Sequence, residues 1–252
     1  MFGKKNVAAL VAEFVGSAVL TLVVVGVQHS TIGVPYFVGV AAALAAAMLV
    51  LVFATASGAV LNPALTVGLW SVRRLTAARA AAYLVVQLLG AWAAYYLFTY
   101  HVNSPLSPTG GDFSARVLVA EAIGTAVLAF GWAAAAYGRF SLGLKASTVG
   151  LGYALGIVVA SAASIGLINP AIALADRAWN IWGSMGWGTY VLGPVLGALI
   201  GLNLFAWLFT DEMSLKGLRA AKATATSAKA SVSKPAAKKP AAKKKPAAKK
   251  KK

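Results

Sequence analysis

Cysteine is absent from all 252 residues. Its absence excludes a disulfide framework, thiolate metal ligation and a cysteine nucleophile, and it leaves the redox compartment unread. Acidic residues are scarce as well, six against 23 Lys and Arg. The resulting net charge of +17 would point to nucleic acid if it were spread along the chain. It is not: 14 of the cations lie from Lys216 onward, and the body up to Phe209 keeps nine against Glu13, Asp112, Glu121 and Asp176. That body contains no nucleophile–base pair, metal-ligand cluster or phosphate loop, so neither an enzymatic activity nor a cofactor is expected.

What the chain has in abundance is apolar sequence. Hydrophobic residues make up 60% of it and the mean hydropathy is +0.76, enough for several membrane spans of about 20 residues each. Six runs qualify: Val7 to Val27, Tyr36 to Ala56, Ala80 to Tyr100, Val117 to Tyr137, Ser147 to Ile165 and Gly188 to Phe209. The first follows Lys4 and Lys5 like a signal peptide, but its length and Glu13 mark it as a retained helix. Two further stretches, Leu61 to Trp70 and Ile168 to Trp179, are too short to span and begin at or near Asn-Pro. Asparagine suits an N-cap and proline the first helical turn, so each reads as a half-helix that dips into the membrane. With the chain starting inside, seven of the nine body cations fall on the cytoplasmic side, and both termini are expected there. The seven Trp, among them Trp70, Trp92, Trp179, Trp182 and Trp187, mostly fall near span ends, as interfacial belts would place them.

The tripeptide Asn62-Pro63-Ala64 recurs as Asn169-Pro170-Ala171. An amide at bilayer depth is costly, so two in matching places imply a polar pathway. The surroundings repeat too: AEFVGSAVLTLVVVG from Ala12 resembles AEAIGTAVLAFGWAA from Ala120, which sets Glu13 over Glu121 and Gly16 over Gly124. Glu13 precedes Asn62 by 49 residues and Glu121 precedes Asn169 by 48. Three spans per copy, an odd number, turn the second copy upside down, so the two half-helices approach the midplane from opposite faces. The two carboxylates then suit the dipping loops, whose non-helical backbone offers N–H donors without partners. A proton relay is the competing role.

Together, SGAVLNPALTVGLW, INPAIALA, the AEF start of the first span, Gln87 within QLLGAWAA and GPVLGALIGLNLF in the last span resemble the aquaporin or major intrinsic protein family. The resemblance covers Val7 to about Phe209. It implies an all-α membrane protein of six spanning helices and two re-entrant half-helices, a pore in each subunit, a homotetramer, and passage of water and small neutral solutes. Asn62, Pro63, Ala64, Asn169, Pro170 and Ala171 would form the pore waist, and Glu13, Glu121 and Gln87 would support it. At the waist the two carboxamide NH2 groups would orient a passing molecule, and two helix N-termini would oppose cations.

The family's outer selectivity filter falls on Ala42, Ile157, Gly166 and Ile172, and here the chain departs from the pattern: Ile172 replaces the usual Arg. Val60 replaces the familiar His before the first tripeptide. The ring lacks a side-chain donor and bulk, which predicts a wider, more apolar mouth passing glycerol, urea, ammonia or gases beside water. Arg177, five residues beyond Ile172, is read as paired with or capping beside Asp176 rather than as a replacement. His29 and His101 read as plain interfacial residues, and Gly193, Gly197 and Gly201 as a close-packing stripe in the last span.

These features divide the chain into a channel domain at 1–209, with repeats at about 7–101 and 117–209, and a Lys/Ala/Pro-rich tail at 210–252. The tail's prolines and like charges leave nothing able to bury a core, so it reads as disordered and cytoplasmic. Beside a plasma (inner) membrane its natural partner is anionic lipid, ahead of nucleic acid. Two other functions stay open, an inverted-repeat secondary transporter and a non-conducting membrane anchor that works through its tail.

Overall fold

A computed structural model describes residues 3–182 and 186–210, so the tail assigned to 210–252 falls, from residue 211, outside the described residues. Among the described residues eight α-helices follow one another: α1 (Lys4–Gln28), α2 (Pro35–Phe53), α3 (Pro63–Ser71), α4 (Ala77–Val102), α5 (Ala115–Tyr137), α6 (Leu142–Ala160), α7 (Pro170–Ala175) and α8 (Leu192–Phe209), the last entered through a π-helical turn at Trp187–Val191. Six are long and apolar enough to cross a membrane, with the π turn and α8 counted as one. The other two, α3 and α7, are the short Asn-Pro elements.

Helix starts follow local chemistry. Thr76, Ser114 and Ser141 accept hydrogen bonds from the N–H groups of Arg79, Val117 and Leu144, which caps α4, α5 and α6. Proline opens α2, α3 and α7, where its missing N–H costs nothing. The Ser141 cap also explains why α6 runs from Leu142 to Ala160 and not over Ser147 to Ile165. Beyond Ala160 the Ser161 hydroxyl folds back onto the Ile157 carbonyl, and the alanines that extend the apolar run lie in turns. Likewise α7 stops at Ala175, four residues short of Trp179, because Asp176 turns inward and Arg177 adopts φ 56°.

The inverted repeat organises the packing. α1 lies against α4 as α5 lies against α8, and α2 packs on α6 across the two copies. Each half-helix also crosses over, α3 to α8 and α7 to α4. Small residues make these approaches possible. A Cβ at Gly193 would sit 2.8 Å from the Leu118 carbonyl, one at Gly201 would sit 2.9 Å from the Ala126 carbonyl, and one at Gly197 would meet that of Ala122. The glycine stripe of α8 is therefore its seam with α5, and Gly90 gives α4 the same closeness to the Phe14 carbonyl of α1. Large apolar side chains point outward instead, Leu44 and Met48 on α2, Leu151 and Leu155 on α6, Trp207 on α8. Such a surface needs lipid rather than water around it.

Candidate functional site

The two tripeptides meet at the centre of the bundle. Asn62 Oδ1 accepts from the N–H groups of Ala64 at 2.9 Å and Leu65 at 3.4 Å, and Asn169 Oδ1 accepts from Ala171 at 2.9 Å. With each oxygen held by the start of its own half-helix, each Nδ2 must face away, toward the opposite copy. Asn62 Nδ2 donates to the Ile168 carbonyl at 3.1 Å, and Asn169 Nδ2 donates to the Leu61 carbonyl at 3.0 Å. Each amide thus gives one of its two hydrogens to the carbonyl just before the other asparagine, and both side chains are fully buried. Those carbonyls are available because Leu61 and Ile168 hold φ of 52° and 44°, a left-handed backbone that is strained for a β-branched isoleucine.

Glu13 and Glu121 hold these loops in place. Glu13 accepts the N–H groups of Val60 at 3.0 Å and Leu61 at 2.8 Å; Glu121 accepts those of Leu167 at 3.0 Å and Ile168 at 2.6 Å. A serine adds to each set, Ser57 beside Glu13 and Ser164 beside Glu121, and the copies differ in that Glu13 has Gln87 as well. Gln87 Nε2 donates to Glu13 at 2.8 Å while its Oε1 accepts from Thr66, whereas the Ser164 hydroxyl donates to Glu121. Both carboxylates therefore spend their oxygens on loop backbone.

The four residues assigned to the outer ring are buried. Gly166, at φ 68°, lies against Ile157, since a Cβ there would stand 2.7 Å from the Ile157 carbonyl and 3.4 Å from its Cγ2. Ile172 sits in the first turn of α7 and Ala42 on α2, both fully buried. Ala42 follows Gly39 by one turn, and a Cβ at Gly39 would come 3.1 Å from the Ala154 carbonyl of α6. On the other side of the tripeptides a cavity of about 160 Å³ opens between the end of α2, the end of α5 and the start of α6, lined in part by Gly58, Trp132, Lys145 and Val149. Among the described residues no group of three or more His, Asp or Glu converges as a metal cage would require.

Several side chains stand where sequence reasoning did not put them. Asp176 is fully buried and bonds to His29 Nε2 at 2.7 Å, Gln28 Nε2 at 3.0 Å and the Thr109 hydroxyl at 2.9 Å. Burial pushes its carboxyl above the ordinary 3.8, against the pull of its His29 and Thr109 hydrogen bonds. His29 is accordingly a structural partner and not a plain interfacial residue. Arg177 makes no cap or surface pair with Asp176; its guanidinium donates to the Leu106 carbonyl at 2.6 Å. Trp179 belongs to no belt, being buried with its indole N–H on the Pro170 carbonyl at 2.7 Å, which pins the start of α7. Sequence reasoning also passed over Tyr153, whose hydroxyl lies 3.5 Å from both Asn62 Nδ2 and Asn169 Nδ2. Its trace in the sequence is a phenol in mid-span, whose hydroxyl needs a partner but whose direction the sequence does not give.

Comparison with known proteins matches residues 3–207 to the family model described as Major intrinsic protein. Relatives include a probable aquaporin TIP3-2 from Oryza sativa, 31% identical over 81% of this chain and 82% of that one. A probable glycerol uptake facilitator protein from Thermotoga maritima is 28% identical over 66% of this chain and 81% of its own length. Among solved structures, the aquaglyceroporin from Plasmodium falciparum superposes with a TM-score of 0.67 at 22% identity, covering 81% of this chain and 96% of that one.

Proposed function

The chain belongs to the major intrinsic protein family, an integral multi-pass membrane protein, and from that premise we propose how it works as a passive channel for water and small solutes. The observation that carries the reading is the reciprocal bonding of the two amides, Asn62 to Ile168 and Asn169 to Leu61. It supports a waist here because it brings the two NH2 groups and the starts of α3 and α7 together among buried side chains. There Asn62, Pro63, Ala64, Asn169, Pro170 and Ala171 form the waist. The amides exchange a neutral molecule's water hydrogen bonds for protein ones at small net cost, and the converging helix ends repel hydronium and other cations. Glu13, Glu121 and Gln87 act as braces, because their hydrogen bonds are spent on the loops; a coupled transporter would need a titratable relay open to the pathway.

Ala42, Ile157, Gly166 and Ile172 form the outer filter, an apolar ring without a guanidinium. We assign it to compact uncharged solutes such as glycerol, urea or ammonia beside water. The channel domain ends near residue 209, both termini face the cytoplasm across the inner membrane, and the subunits assemble as a homotetramer. The tail rests on anionic lipid. Stopped-flow swelling of proteoliposomes with several solutes and an internal proton-sensitive dye tests the reading. The expected result is water and neutral-solute flux without acidification. Flux of water alone refutes the open filter, and absence of all flux refutes the channel.

A further inference from the structure

We propose that Tyr153 governs passage through the waist: its hydroxyl stands where a permeating molecule's oxygen would bind, so whatever crosses must first displace the phenol. The inference rests on the channel reading and adds a specificity-determining residue to it.

The argument starts from valence. Each carboxamide nitrogen carries two hydrogens. One from Asn62 goes to the Ile168 carbonyl and one from Asn169 to the Leu61 carbonyl. The remaining hydrogen of each meets the Tyr153 oxygen, 3.5 Å from both nitrogens, on a side chain only 2% exposed. Water bound by both amides would need to sit about 2.9 Å from each nitrogen, space that the phenol already fills. Bulk and hydrogen-bond competition therefore act at one place. At 3.5 Å the contacts are long for N–H···O bonds, so the hydroxyl is parked between the amides and can be moved.

The helix that carries this residue supports the assignment. Lys145, Val149, Tyr153 and Ile157 recur at intervals of four and share one face of α6. Lys145 and Val149 line the 160 Å³ cavity at one end, and Ile157 touches Gly166 at the other. Tyr153 is the one aromatic residue on this stripe and stands at its crossing with the amides. The chemistry of displacement also sets the permeant class. A molecule that satisfies both amides in the hydroxyl's place must accept two hydrogen bonds at once, as the oxygen of water, urea or a polyol does, whereas ammonia, with one lone pair, satisfies one amide only and crosses at a higher cost. An apolar gas would leave both amide hydrogens unpaired in a dry wall.

The test compares the full-length wild type, Tyr153→Val and Tyr153→Phe in proteoliposomes by stopped-flow swelling in water and glycerol gradients. Val removes both bulk and hydroxyl and is expected to raise water permeability about tenfold, the equivalent of one to two net hydrogen bonds no longer broken on each crossing. Phe keeps the ring, guards against a Val variant that does not fold, and is expected to gain less than Val. A wild type that conducts water, with neither variant faster, overturns the role of Tyr153 and leaves the channel reading standing. No conduction by any of the three refutes the channel reading and this inference together.

Discussion

Glu13 and Glu121 each give two carboxylate oxygens to consecutive backbone N–H groups, and a glutamine in either place would offer one acceptor and turn an NH2 toward the other donor. Glu13→Gln and Glu121→Gln are each expected to cost about 1 to 3 kcal/mol, read as a lowered thermal midpoint in detergent. Ile172, proposed for the filter, is fully buried in the first turn of α7, and Ile172→Arg would bring a guanidinium to the ring proposed with Ala42, Ile157 and Gly166. The expected outcome in swelling assays is loss of glycerol and urea flux with water flux retained. The paired asparagines and glutamates were legible because their residue types are costly in lipid and recur at spacings of 49 and 48 residues. Asp176 and His29 were not, since 147 residues separate them and neither carries a local pattern. Tyr153 was hidden for another reason: one tyrosine within an apolar run looks the same in sequence whether it faces lipid or the axis.

At the level of elements, the repeat makes a differential prediction. Gly16 on α1 and Gly124 on α5 are counterparts, yet a Cβ at Gly16 would press the Leu61 side chain, whereas one at Gly124 would press the backbone carbonyl of Gly156 on α6. A side-chain tip can rotate away and a helix backbone cannot. Gly124→Ala is therefore expected to destabilise by about 1 to 3 kcal/mol and Gly16→Ala by clearly less, compared as unfolding midpoints in one detergent. The existence of all six long helices and both half-helices was legible from run length and from the Asn-Pro starts. Their ends were less so. Ser161 and Ser164 fall inside the run Ser147 to Ile165, but they serve the turn and the Glu121 brace, and the burial of Asp176 shortens α7.

For the whole molecule, the residues proposed as waist, braces and filter all precede residue 210, so removing residues 214–252 is expected to leave water permeability unchanged in proteoliposomes. In the intact chain, anionic lipid should slow tryptic cleavage of the tail at low salt and lose that effect at high salt. The upside-down relation of the copies was legible from an odd number of spans per repeat, while the crossing of α3 to α8 and α7 to α4 needed the tertiary structure. That crossing bears on biosynthesis. A nascent first repeat, inserted while the ribosome is still translating the second, holds an Asn62 amide with no Ile168 carbonyl to receive it and a Leu61 carbonyl with no Asn169 to claim it. The first repeat's central hydrogen bonds are therefore expected to close only once the second repeat is in place.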